Sequence, residues 1–273
     1  MATFVNRSAP SAIASISAWY QTPIGARVGR DLTQCLARRA EDAFGYHAVV
    51  MGATLPLGTR LRIRHVTQVS PSVAAMGGPA PGAGNEYPGA GLVADFTALP
   101  IASEAADLVI ALHVLENLRQ PHDLLREMDR IVRPEGRLMI VGVNPVSLFP
   151  VARLLGRSCY APLLRGHRHA AWRLVDWLRV LGYEINAVEH VGGLCPTCHV
   201  RRYERFRPLR DWSLRWAWFL HGFYVIDATR RESTPTAIRP AFRFRELMPQ
   251  KAGSQVAGST TAGARLKTWP KTR

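Results

Sequence analysis

DLVIALHVLENLRQPHDLLREMDRIVRPEGRLMIVGV, residues 107 to 143, is the most regular stretch of the chain. DLVIALHVL, residues 107 to 115, is an apolar, β-branched run suited to a strand buried on both faces. Pro121 stands at a first helical position, where its missing N–H does no harm. Behind it Leu124, Leu125, Met128, Ile131 and Val132 recur at three- and four-residue spacings along one helical face. Pro134 stops that helix, Pro134-Glu135-Gly136 is turn chemistry, and RLMIVGV, residues 137 to 143, is another buried-strand run. Strand, helix and strand with short links form the unit of a parallel sheet.

Outward from this unit the alternation continues. LVADF, residues 92 to 96, is a short apolar run joined to it by the polar TALPIASEAA. Downstream, AAWRLVDWLRVLG, residues 170 to 182, is helical through Leu174, Leu178 and Leu181 and ends at Gly182, which accepts the left-handed conformation of a helix stop. YEINAVEHV (183 to 191) and FYVIDATRR (223 to 231) read as strands. Upstream, DLTQCLARRAEDAFG reads as a helix ahead of the HAVVMG strand. The pattern predicts an α/β fold: an open, doubly wound, mostly parallel sheet with helices on both faces. One domain over residues 1–248 carries it, with a glycine- and proline-rich insertion at 70–91 and a basic segment at 201–215. Residues 249–273 hold five basic residues and no acid and read as a disordered tail.

With 273 residues and 47% apolar content the chain can bury a sizeable core. No run approaches the roughly 18 to 20 uncharged apolar residues of a membrane span, and MATFVNRSAPSAIASISA lacks the continuous apolar core of a signal peptide. Cys35, Cys159, Cys195 and Cys198 make no secreted disulfide framework, which points to a reducing compartment and a cytoplasmic location. CPTCH, residues 195 to 199, has the spacing of covalent haem attachment. A zinc site would need two further ligands, and incidental thiols need nothing more.

The charge of +15 is unevenly placed. Residues 1 to 150 hold 13 Lys or Arg against 12 Asp or Glu, whereas residues 151 to 273 hold 22 against 8. RRYERFRPLRDWSLR, residues 201 to 215, interleaves six arginines with Tyr203, Phe206 and Trp212. That composition suits nucleic-acid contact, an anionic lipid surface, or a solvated face with no partner.

DFTALPIASEAADLVIALHVLENLRQPHDLLREMDRIVRPEGRLMIVGVNP resembles the central half of the type-11 class I S-adenosylmethionine-dependent methyltransferases. The shared marks are an acid ending the third strand, an LP a few residues on, a D-apolar-V fourth strand, and a P…L.E..R.L.P.G helix and turn. WYQTPIG, FGYHAVVMG, RLVDWLRVLGYEI and GFYVIDATRR resemble a bacterial subgroup of that family, so that the likeness covers about residues 18 to 240. The resemblance implies S-adenosylmethionine as cofactor, bound in a cleft at the carboxyl ends of the strands. Met51 and Gly52 would pass beneath its methionine part, Asp95 and Phe96 would flank the adenine, and Ala111, Leu112 and His113 would line it under the sulfonium. His113 would also be the candidate base for an acceptor that must lose a proton. Read without the resemblance, Asp95 caps a turn, Phe96 is core, Gly52 is a bend and His113 is a hydrogen-bonded structural histidine.

Two departures bear on function. The family's first loop is acid-x-Gly-x-Gly-x-Gly, but VVMGATLPLG keeps one glycine in register and places Pro56 where a helix should start. The family also holds both ribose hydroxyls with an acid at the end of the second strand, and between Ala43 and Ala94 the only acid is Glu86. Loss of that charge-assisted bond costs on the order of 1.5 to 3 kcal/mol. The expected function is methyl transfer to an unidentified small-molecule or macromolecular acceptor. The alternative is a binding or scaffold protein that keeps the fold without the cofactor and contacts nucleic acid or an anionic surface.

Overall fold

The computed structural model describes residues 9–55, 57, 61–76, 91–118, 120–149, 158–192 and 197–231. All described residues belong to one compact unit, 1–233. The expected tail at 249–273 and residues 77–90 of the expected insertion lie outside them.

Seven strands form one sheet: β1 (Gly45–Gly52), β2 (Ile63–Ser70), β3 (Gly91–Val93), β4 (Ala106–Leu112), β5 (Val132–Val143), β6 (Tyr183–Val191) and β7 (Phe223–Arg230). Their order is β3-β2-β1-β4-β5-β7-β6, parallel except for β7, which runs against both β5 and β6. The predicted α/β class with a mostly parallel sheet is therefore the observed one. The apolar runs become central strands because both of their faces are covered. Val50, Leu108, Ile110, Met139 and Val141 pack on one side with Ile24, Val28, Leu32 and Leu36 of helix α2 (Pro23–Arg39). Val49, Val109, Leu138 and Ile140 pack on the other with Leu124, Leu125 and Met128 of α3 (Pro121–Ile131) and Leu174 and Leu178 of α4 (Ala171–Val180). Each such fully buried side chain contributes about 1.5–3 kcal/mol.

Several elements differ from the sequence expectation, each for a local reason. Helix α1 (Ala9–Tyr20) is additional, and α2 starts eight residues earlier than the DLTQ helix, where Thr22 Oγ1 accepts the Gly25 N–H at 3.2 Å ahead of Pro23. Strand β2 runs to Ser70, and Val73–Met76, within the segment 70–91, form a 3-10 turn. Among the described residues no helix links β1 to β2, and Leu55, Leu57 and Leu61 bury themselves on the α2 side instead. Pro134-Glu135-Gly136 is absorbed into β5 beside a register shift opposite Ala106–Leu108.

The expectation of incidental thiols is corrected at Cys198, which forms a disulfide with Cys159, their Cα atoms 5.9 Å apart. The two are 39 residues apart in sequence. The 3-10 turn Ser158–Leu164 brings them together, with Tyr160 Oη donating to Thr197 O at 3.1 Å. Cys195 lies outside the described residues.

Candidate active site at the carboxyl edge of the sheet

Strand order reverses between β1 and β4, the switch point where open α/β sheets hold ligands. The tips of these two strands are in register, Met51 opposite Ala111 and Gly52 opposite Leu112, and Ala53 N–H donates to Leu112 O at 3.0 Å. Gly52 has φ +98°, and a Cβ there would collide with the Leu112 carbonyl, so this bend accepts only glycine. Five of the seven sequence candidates, Met51, Gly52, Ala111, Leu112 and His113, are thus brought together, all buried. Phe96 packs in the same core as Met51 and Ala111. Asp95 is exposed at the tip of β3, where one carboxylate oxygen accepts Thr97 N–H at 2.9 Å and Thr97 Oγ1–H at 2.8 Å.

His113 follows β4 in a left-handed conformation, φ +56°, with its N–H on Val141 O at 3.1 Å. Its ring has no exposed surface. Nδ1 lies 3.2 Å from a Glu116 carboxylate oxygen and Nε2 2.6 Å from Tyr20 Oη, with the Tyr20 ring stacked alongside. A carboxylate at Nδ1 fixes the proton there and leaves Nε2 to accept from the Tyr20 hydroxyl. Burial, and then the Glu116 charge, push the Tyr20 phenol well above its ordinary range, so it remains a neutral donor. Glu116 also accepts the Val143 N–H, which ties the tip of β5 to the same carboxylate.

Tyr20 belongs to α1, which crosses the edge here. Ser17 accepts Thr54 N–H at 3.2 Å and donates to Ala75 O at 3.3 Å, while Ile13 enters the Phe96 core. At the tip of β2, where the family carries its acid, stands Ser70. Its carbonyl accepts Ala94 N–H at 3.1 Å, which places it beside Asp95, and its buried Oγ has no hydrogen-bond partner among the described residues.

Sequence reasoning gave no role to Tyr20, Glu116, Ser17 or Ser70. Glu116 was findable from its place three residues after His113. Tyr20 was not, because 93 residues separate it from the histidine it binds.

Further along the same edge, at the ends of β5 and β6, lies a cavity of about 700 Å³ whose walls include Asn144, Trp172, Val175, Val188, His190 and Trp218. His190 sits 4.8 Å from the Trp218 ring. Burial, with His221 nearby, pushes it down to about 4, so the imidazole is neutral near pH 7. Asn144 donates to Phe219 O at 2.5 Å and to His221 O at 3.0 Å, fastening the end of β5 to the 3-10 turn Trp218–Leu220. Among the described residues no group of three or more His, Cys, Asp or Glu is arranged to hold a metal, and no helix is long and apolar enough to cross a membrane.

Residues 53–140 match the family model of the type-11 methyltransferases, described as a methyltransferase domain. The uncharacterized protein YafS of Escherichia coli K12 is 33% identical over 92 residues, which are 34% of this chain and 38% of YafS. A chain from the complex between the Haloferax volcanii Trm112 methyltransferase activator and a methyltransferase superposes with a TM-score of 0.55 at 15% identity, over 84% of this chain and 98% of that one. The N-methyltransferase NodS of Bradyrhizobium japonicum, solved with S-adenosyl-L-homocysteine, gives 0.53 at 12% identity over 81% and 99%. At these identities the superpositions speak for the fold alone. Residues 53–140 thus match the methyltransferase-domain family model and lie within a seven-stranded sheet whose fold is shared with these methyltransferase structures.

Proposed function

We propose that the chain is an S-adenosylmethionine-dependent methyltransferase whose cofactor groove lies at the β1–β4 switch point beneath α1. The observation that carries this reading is the polar line Tyr20–His113–Glu116, buried at the tip of β4 with His113 at positive φ. Strained backbone and buried polar groups at a switch point are features that functional sites retain.

The residues present fit the adenosine half of the cofactor. Asp95 has an exposed carboxylate for the adenine amine and Phe96 backs it. The unpartnered Ser70 hydroxyl is an orphaned donor at the tip of the strand that faces ribose in the family. Ser70 offers a neutral bond where the family offers a charged one, which weakens binding by about tenfold. Met51, Gly52, Ala111 and Leu112 would form the floor of the methionine end, with Ser17 and Tyr20, bonded to Thr54 and His113, as its roof.

Bound S-adenosylmethionine supplies an electrophilic methyl group, and the chain's task is alignment and proton removal. When α1 lifts, Tyr20 releases His113 Nε2, which takes the acceptor's proton. Glu116 holds Nδ1–H and balances the imidazolium charge. The arginine-rich second half provides contact with an anionic partner, and the methyl acceptor is a separate question. Calorimetric titration with S-adenosylmethionine and S-adenosylhomocysteine tests the cofactor reading. Binding that falls about tenfold or more in Asp95→Ala is expected.

One observation favours a second reading. Ser17 and Tyr20 of α1 are hydrogen-bonded to Thr54 and His113 at the strand tips, an arrangement that suits a methyltransferase-fold binding protein without cofactor. No heat at about 1 mM ligand, a limit of roughly 4 kcal/mol in binding energy, would decide for it.

A further inference from the structure

A second surface, exposed and apolar, lies outside the switch point. Helices α5 (Val200–Arg205) and α6 (Arg207–Trp216) lead into the 3-10 turn Trp218–Leu220. Leu209, Trp212 and Trp216 stand at spacings of three and four residues, one stripe of a helix. All three are exposed, Trp212 at 61% and Trp216 at 75%. Phe206 extends the stripe at its start, and the exposed Trp218 and Phe219 extend it at its end. The last two also form part of the wall of the 700 Å³ cavity, whose mouth carries Trp172 at 72% exposure. Water-exposed apolar surface of this extent marks an interaction site. The sequence from 201 to 220 sets Arg201, Arg202, Arg205, Arg207, Arg210 and Arg215 among these residues against Glu204 and Asp211 only, a net of +4 from six basic and two acidic residues.

We propose that α6 and the Trp218–Leu220 turn dock on the surface of a lipid bilayer that carries anionic headgroups. An amphipathic helix with tryptophan and leucine on one face and arginine among the remaining positions lies in the headgroup region. Its apolar face enters the acyl boundary while the exposed Arg201, Arg202 and Arg205 of α5 pair with lipid phosphates. Tryptophan suits that boundary because its ring is apolar and its indole N–H is polar. A single strand of nucleic acid would also meet arginine and aromatic rings. It has no use for the aliphatic Leu209 within the stripe, nor for an apolar cavity walled by Trp218 and Phe219. The docking rests on the anionic-partner reading above, narrows it to one class of partner, and does not depend on methyl transfer.

The test is flotation of the purified full chain with vesicles of phosphatidylcholine alone and of phosphatidylcholine with one-third phosphatidylglycerol, at low and high salt. Binding to the anionic vesicles alone is expected, weaker by about tenfold between 50 and 300 mM salt. In the double variant Trp212→Ser, Trp216→Ser it is expected to fall at least about tenfold with thermal stability unchanged. Rescue by Trp212→Phe, Trp216→Phe separates loss of the apolar face from loss of fold. The proposal is overturned if the two vesicle types bind alike, or if the serine variant, folded as judged by circular dichroism, floats like the parent. It is also overturned if vesicles fail while a single-stranded oligonucleotide binds, an outcome that leaves the anionic-partner reading standing. Failure of both probes removes that reading as well.

Discussion

The two ends of one sheet edge differ in almost every chemical respect. At the β1–β4 tips the edge is sealed: Tyr20, His113 and Glu116 satisfy one another's polar atoms, and α1 lies across the top. At the β5–β6 tips it is open, with an apolar cavity walled by tryptophans and a neutral imidazole. A doubly wound sheet offers its whole carboxyl edge to ligands, so topology alone does not choose between them. The side chains do. The sealed end keeps strained backbone and a buried acid–imidazole–phenol line, suited to one polar ligand after a helix moves. The open end is suited to apolar matter at once.

Four changes sharpen or break this contrast. Glu116→Ala is expected to have the largest effect, since it leaves His113 Nδ1 and the Val143 N–H without a buried acceptor. A loss of about 2–6 kcal/mol, about 1–3 for each of the two unsatisfied donors, should appear in urea denaturation. A loss below about 1 kcal/mol would mean that this end is held together by something other than the polar line. Reducing the Cys159–Cys198 disulfide, which closes a 39-residue separation, should lower stability by about 2–4 kcal/mol when the melt is repeated with dithiothreitol. The contacts around Asp95 should be indifferent to it.

Tyr20→Phe removes one donor and nothing else. It should lower stability by about 1–2 kcal/mol by leaving His113 Nε2 unpaired, yet raise cofactor affinity a few-fold by loosening the roof. Reduced affinity in this variant would show that Tyr20 helps to hold the ligand rather than exclude it.

The smallest effect belongs to the open end. Burial depresses His190 to about 4 and also lowers His169. Below its ordinary value of about 6.5 the unfolded chain therefore binds protons that the folded chain refuses. Stability should decline as pH falls from about 6.5 toward 4, and His190→Gln should flatten that limb in pH-dependent melts. An unchanged limb would place the proton uptake elsewhere.

Most of the fold was legible because its central strands are written as unbroken apolar runs. Residues 107–143, 183–191 and 223–231 form strands and a helix near where their sequence puts them. Strand β2 was not, because IRHVTQVS turns Arg64 and His65 to solvent and never builds an apolar run. Nor was α1, whose alanines and serines carry little amphipathic signal although Ile13, Ile16, Trp19 and Tyr20 are buried. At the site, the resemblance pointed to the strand tips, and five of its residues do meet there. What it could not supply was the roof. Ser17 and Tyr20 reach Thr54 and His113 only through the folded chain, and pairing across such distances leaves no local pattern. The disulfide was hidden for the same reason.

Hydrogen–deuterium exchange with and without about 1 mM S-adenosylmethionine tests the central claim most directly. Amides of α1, the link after Gly52 and residues 92–96 should change their exchange on addition of ligand, while those around Trp172 and Trp218 should not. No change anywhere, or a change confined to the β5–β6 end, would contradict the assignment of the cofactor to the switch point.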